Sequence, residues 1–125
     1  MATIKSYTDL EQSKVLAKFL PLESADMHYW RKGQILGVGY SKEMQEGFES
    51  KGIDCTPCWS LATLLELLPK RIEIVDNVYK LSVYLYGIYY WNINNGNLCF
   101  ESKDKDNLVD ACVDMIIKLH ELKML

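Results

Sequence analysis

An α+β domain built on an antiparallel sheet is the fold this sequence predicts, and three observations predict it. Leucine, isoleucine and methionine recur at helical spacing over 61–68 and 108–122. Between those stripes, residues 71–101 are rich in Val, Ile and Tyr and are cut by turn-forming residues. Strands and helices come in blocks rather than in alternation, which favours a meander over parallel crossover units. The expected architecture is a meander of three to five strands with about three helices packed on one face, in one domain over 1–125.

The elements follow in order. Thr8-Asp9-Leu10-Glu11 fits a capping box, in which a hydroxyl and a carboxylate satisfy the free amides of a helix start. Val15, Leu16, Phe19 and Leu20 then form a narrow stripe that Pro21 ends, so a helix is expected over 9–20. Residues 22–54 are the least legible. Met27 to Trp30 and Ile35 to Tyr40 read as short strands around Gly33, and Ser41 to Gly52 as a loop or a short surface helix. Thr56 can cap a second helix, with Pro57 at the first helical position, where its missing N–H costs nothing. Leu61, Leu64, Leu65 and Leu68 give that helix a core-facing stripe up to Pro69.

Strands are then expected over 71–75, 78–86, 88–93 and 98–101. They are separated by Asp76-Asn77, by Gly87 as a bulge or a tight turn, and by Asn94-Asn95-Gly96-Asn97. Tyr79, Leu81, Val83 and Leu85 alternate with Lys80, Ser82, Tyr84 and Tyr86, so one face should lie on the core and the other should be partly wet. Asp106 or Asn107 can cap the last helix, whose stripe runs through Leu108, Cys112, Met115, Ile116, Leu119 and Leu122. Leu61, Leu65, Leu68, Leu81, Val83, Met115, Ile116 and Leu119 form the expected core.

Bulk properties exclude several function classes. A chain of 125 residues, 49% hydrophobic and 25% charged, can bury a core without metal or disulfides. Its net charge of −3 argues against nucleic acid, because phosphate contacts demand a basic surface. Lys70-Arg71 and Lys103/Lys105 are short clusters, read as solvated loop ends. No run approaches the roughly 18 apolar residues of a membrane span. Met1 to Tyr7 lacks the charged start and apolar run of a signal peptide, so a cytoplasmic chain with reduced thiols is expected.

Three constellations carry possible chemistry. Cys55-Thr56-Pro57-Cys58 at an expected helix start has thioredoxin-like spacing, in which the helix N-terminus lowers a thiol pKa. Against this, no hydrophobic strand precedes it and no Pro follows Pro69 to supply an opposing cis-proline loop, so a structural pair is the expectation. A zinc knuckle would need a second close-spaced pair, which Cys99, Cys112, His28 and His120 do not form. Hence no metal and no cofactor is expected. No nucleophile elbow, phosphate loop or metalloprotease helix occurs, and no catalytic residue is assigned. The third constellation is aromatic: Tyr84, Tyr86, Tyr89, Tyr90 and Trp91 crowd one hairpin, and two readings weigh equally, a binding face, or a set of which half point into the core and the rest cover the sheet's wet face. Asp26, His28 and Trp30 offer an alternative pocket beside the sheet.

Three stretches also resemble a family of short proteins from gut Bacteroides and their phages or integrated elements. They are Leu10-Glu11-Gln12-Ser13-Lys14 leading to Glu23-Ser24-Ala25-Asp26-Met27-His28-Tyr29, then Thr56-Pro57-Cys58-Trp59-Ser60-Leu61-Ala62-Thr63-Leu64-Leu65, then Leu108 to Met115 running on to Leu122. The family's middle helix opens on a Pro-x-Trp-Ser-Leu core with Ala common where Cys58 stands, so the Cys-x-x-Cys spacing departs from it. The resemblance implies a mobile-element accessory protein and brings no reaction with it. From these readings a non-enzymatic interaction module is expected, binding a host or phage protein or a second copy as a homodimer. A ligand-binding protein or enzyme using Asp26, His28 and Trp30, and then a thiol redox protein, are the alternatives.

Overall fold

A computed structural model describes residues 5–102 and 105–125. Lys103, with its neighbour Asp104, and the Met1–Ile4 part of the N-terminal reading lie outside the described residues. The fold is α+β, with one three-stranded and one four-stranded antiparallel sheet. The chain forms two compact units, Ser6–Thr63 and Leu64–Leu125 with Lys5, and passes from one to the other within a helix. Among the described residues no helix is long and apolar enough to cross a membrane.

The first unit contains α1 (Leu10–Leu16), β1 (Met27–Trp30), β2 (Ile35–Val38), α2 (Lys42–Ser50) and β3 (Cys55–Cys58), with sheet order β2-β1-β3. The cap of α1 is one residue later than the sequence suggests. Asp9 accepts from the Gln12 amide while Gln12 Oε1 accepts from the Asp9 amide, a capping box shifted from Thr8/Glu11. Thr8 is fully buried instead and acts as a polar hub. Its Oγ1 lies 2.7 Å from Ser13 Oγ, and its carbonyl accepts from Tyr29 Oη at 2.8 Å. Competition between two adjacent cap-forming residues is decided by the burial of Thr8, which a local pattern does not contain.

The expected helix start at Thr56-Pro57 is corrected: both residues lie in β3, an edge strand paired with β1, where proline's missing donor is tolerated. The helix, α3 (Leu61–Leu67), opens four residues later, with Ser60 Oγ accepting from the Thr63 amide. Side chains on the two faces of this sheet meet different helices. Tyr29 and Cys58 face Thr8 beside α1, whereas His28 and Trp30 pack on Phe48 of α2, at ring-centroid distances of 5.9 and 5.2 Å. Trp59 is fully buried, and its Nε1 donates to Ser24 Oγ at 2.9 Å.

The second unit is the predicted meander: β4 (Arg71–Ile74), β5 (Asn77–Tyr84), β6 (Gly87–Asn92) and β7 (Leu98–Glu101), in that spatial order, followed by α4 (Leu108–Glu121). Asn107 caps α4 by accepting from the Asp110 amide, as expected. α4 packs along β6, and Val109, Cys112, Met115, Ile116 and Leu119 are buried with Ile88 and Tyr90. Leu68 is also buried, but Leu61, Leu65 and Leu81 are only half-buried, and Leu64 takes the buried place in α3. Val83 is 44% exposed, contrary to expectation. It sits one pair from the hairpin tip on β5, outboard of the strand that α4 covers.

Leu85 breaks the expected alternation. With Tyr86 it forms the two-residue loop between β5 and β6, at φ +52°, and is 73% exposed. Val75 does the same between β4 and β5, at φ +55° and 91% exposed. A positive φ is costly for side chains of this kind, and two-residue hairpin loops demand it because their twist must match that of the strands. Gly87 is thereby resolved as the first residue of β6 rather than a bulge. The bulge lies between Tyr90 and Trp91, where β7 carries Cys99 as the extra residue.

Candidate functional site

The pleat of the meander sorts the aromatic cluster. Leu81 pairs with Tyr90 and Val83 with Ile88, which puts these four on the inner face with Phe100; Tyr90 meets Phe100 edge-on at 6.3 Å. Tyr90 is fully buried and its hydroxyl donates to the Pro69 carbonyl at 2.7 Å. Burial pushes its phenol pKa up, helped by the neighbouring Cys112. Tyr90 is therefore a core residue and leaves the predicted binding set.

The outer face holds Lys80 opposite Trp91, Ser82 opposite Tyr89, and Tyr84 opposite Gly87, with Glu101 and Leu98 continuing the rows on β7. Tyr89 and Trp91 lie two residues apart on this face and pack at 5.9 Å with their planes 31° apart. Tyr84 is 67% exposed, and Tyr86, in the loop, is 46% exposed. At the β5–β6 loop the face deepens into a half-open hollow of about 260 Å³ lined by Tyr84, Leu85, Tyr86, Gly87, Tyr89, Ser102 and Lys105.

Glycine at 87 shapes that hollow. The Tyr89 phenol lies directly over Gly87, so an added methyl would come within 2.6 Å of ring atoms Cε2 and Cζ. Ser102 is buried at the back, where its Oγ accepts from the Ile88 amide at 2.9 Å and its own amide donates to the Ile88 carbonyl at 2.9 Å. Sequence reasoning passed over Ser102 and took Lys105 for a solvated loop end. Nothing in the charge run 103–106 marks Lys105, because only the return of the chain after β7 brings it beside the β5–β6 loop.

Asp26, His28 and Trp30 do not converge on a pocket. Asp26 precedes β1 and its carboxylate accepts from the Ser60 amide at 2.9 Å and the Ser60 hydroxyl at 2.5 Å, which holds the start of α3. Partial burial works to raise its pKa, but the bonds from Ser60 and Thr63 prevail and lower it. His28 is buried with Nδ1 at 2.6 Å from the Gly39 carbonyl, so Nδ1 carries the proton, and its ring fills the space over Gly37. Trp30 packs on Phe48, and the Arg31 guanidinium stands 5.0 Å above its ring. These contacts make Asp26 a cap and the two rings packing groups.

Cys55 and Cys58 sit on a strand at odd spacing, so their side chains leave opposite faces of the sheet. Cys58 faces the Thr8 carbonyl at 3.4 Å, and Cys55 pairs across from Trp30 on the α2 side. Burial raises both thiol pKa values, and no helix N-terminus lies beneath either one. That arrangement opposes both a thiolate nucleophile and a disulfide between them. Among the described residues no three His, Cys, Asp or Glu are grouped so as to hold a metal ion.

Further hollows lie in the first unit. One of about 300 Å³ runs along Met44, Gly47, Phe48, Ser50, Lys51 and Ile53, and one of about 260 Å³ is bounded by Arg31, Lys32, Gln34, Gly52, Ile53 and Asp54. In the second, the Asp54 carboxylate is occupied by the Lys32 amide at 2.7 and 2.8 Å. Comparison with known proteins matches this chain to no family model, no curated protein and no solved structure.

Proposed function

We propose that this chain is a non-enzymatic interaction module that docks a protein partner on the outer face of its meander. One observation carries the reading. Among the described residues, the outer face presents Tyr84, Trp91 and Leu98 as exposed large apolar side chains, and Leu85 and Tyr86 are exposed in the adjoining loop. An isolated exposed apolar residue is ordinary, but such a concentration marks a surface meant to be covered. The aromatic members suit that role, since Tyr and Trp give large contact area for little lost rotamer entropy. The resemblance to proteins of Bacteroides phages and integrated elements fits an accessory role in the host cytoplasm, with a host or phage protein or a second copy as partner.

The test is affinity capture of the tagged chain from its native host, run in parallel with a Tyr84→Ser/Trp91→Glu variant. Both side chains are exposed, so the variant should keep its fold. A protein retained by the parent and lost by the variant is the expected result. Sedimentation velocity of the pure chain shows whether that partner is a second copy. Identical protein profiles from the two baits, with a metabolite in the parent fraction alone, would remove the docking reading.

A further inference from the structure

We infer that the hollow at the β5–β6 loop is a binding site for an aromatic carboxylate: one flat ring on a short arm that ends in a carboxylate. The donor inventory leads there. Tyr84, Tyr86 and Tyr89 have no hydrogen-bond partner for their hydroxyls among the described residues, and all three line the hollow. Ser102 Oγ already accepts from the Ile88 amide, so its remaining capacity includes a hydroxyl proton to give. Lys105 adds an ammonium, and no carboxylate lines the hollow among the described residues. Four hydroxyls and one cation around a single space call for a ligand rich in acceptors and negatively charged.

The walls set the rest of the ligand. Tyr84, Tyr86 and Tyr89 supply rings and Leu85 an aliphatic side chain, all held at the mouth by a hairpin loop whose φ of +52° at Leu85 turns this side chain outward. Rings beside a cation favour a planar apolar body with its charge at one end. A volume of about 260 Å³ corresponds to roughly nine waters' share of liquid, room for one ring and an acidic arm. A phosphate ion alone would leave the aromatic walls wet. The hollow shares Tyr84, Leu85 and Tyr86 with the docking reading, but Lys105 lies outside that surface and Trp91 outside the hollow, so Lys105→Met tests the anion site separately.

Two sources share this chemistry: a free aromatic acid, and a polypeptide that ends in an aromatic residue with a free C-terminal carboxylate. Isothermal titration and amide-proton NMR of the full chain would use indole-3-acetate, its uncharged amide, inorganic phosphate, and the peptide Gly-Ser-Gly-Trp with a free or an amidated C-terminus. Indole-3-acetate should bind saturably below about 5 mM, shifting signals at Tyr84–Tyr89, Ser102 and Lys105. Its amide, and Lys105→Met with the acid, should each bind about tenfold more weakly, as expected for loss of a charge-assisted bond. A free-C-terminus peptide that binds more tightly than indole-3-acetate identifies the polypeptide source, and the reverse identifies the free acid. Gly87→Ala, which forces the Tyr89 ring off its seat, should abolish binding; should that variant fail to fold, Tyr84→Phe/Tyr86→Phe makes the same test by removing two donors. Equal binding of acid and amide, no effect of Lys105→Met, phosphate binding as tight as indole-3-acetate, or shifts mapping elsewhere would each overturn the assignment.

Discussion

Tyr90 and Tyr84 lie on adjacent strands of one hairpin, and the structure assigns them opposite roles that denaturation can separate. Tyr90 is fully buried, and its hydroxyl donates at 2.7 Å to the Pro69 carbonyl; Tyr84 is 67% exposed and has no such bond. Tyr90→Phe removes one donor and leaves that carbonyl to find water. The expected loss is about 1 kcal/mol, rising to about 2 if water cannot reach the carbonyl. Tyr90→Ala also opens a cavity beneath α4 and should cost about 3–5 kcal/mol, as large aromatic truncations do. Tyr84→Ala should stay within about 0.5 kcal/mol of the parent. For a chain of this length, 1 kcal/mol corresponds to a Tm shift of roughly 3–6 °C. Urea titration followed by circular dichroism, with unchanged m-values, measures all three variants. Equal losses for Tyr84→Ala and Tyr90→Ala, or no loss for Tyr90→Phe, would refute the assignment of faces.

Other consequences are equally direct. Burial raises all four thiol pKa values, that of Cys112 to about 12, but Cys99 alone is only half-buried, so under native conditions a thiol reagent at pH 8 should label Cys99 first and the other three only on unfolding. Replacing Cys55 and Cys58 with Ala should leave partner capture intact, and its loss would revive a thiol role. The folded-state pKa of Asp26 is depressed, so its stabilising contribution is present above the ordinary aspartate value of 3.8 and is lost as pH falls through the lower folded value. Asp26→Asn should flatten that acid limb and cost about 1 kcal/mol at neutral pH. Tyr29 and Tyr90 titrate in the opposite sense. Their phenol pKa values are raised above 10.0, so the stability they contribute is complete below that pH and is lost as pH rises towards the folded values. In an ultraviolet alkaline titration, these two should ionise after the exposed tyrosines and together with unfolding.

The local grammar of the chain determined its class and most of its elements. The meander was legible because Asp76-Asn77 and Asn94 to Asn97 punctuate runs of Val, Ile and Tyr; Asn94 to Asn97 do lie between β6 and β7, whereas the β4–β5 loop is Val75-Asp76 and Asn77 already pairs with Ile74. α4 was legible to within a residue because its stripe is long and both candidate caps, Asp106 and Asn107, stand just before it; Asn107 takes the position. Tertiary structure decided what such patterns leave degenerate. Thr8 and Asp9 compete for one cap, and only the burial of Thr8 against Cys58 and Tyr29 settles it. Thr56-Pro57 suits a helix start or an edge strand equally, and pairing with β1 selects the strand, which sends the two thiols to opposite faces. An alternating run states that two faces exist without saying which is covered or where cover stops. α4 lies along β6 and leaves Val83 and the hairpin tip bare. Lys105 and Ser102 joined the hollow for the same reason: their neighbours there come from a hairpin more than ten residues earlier, and sequence proximity carries no information about that closure.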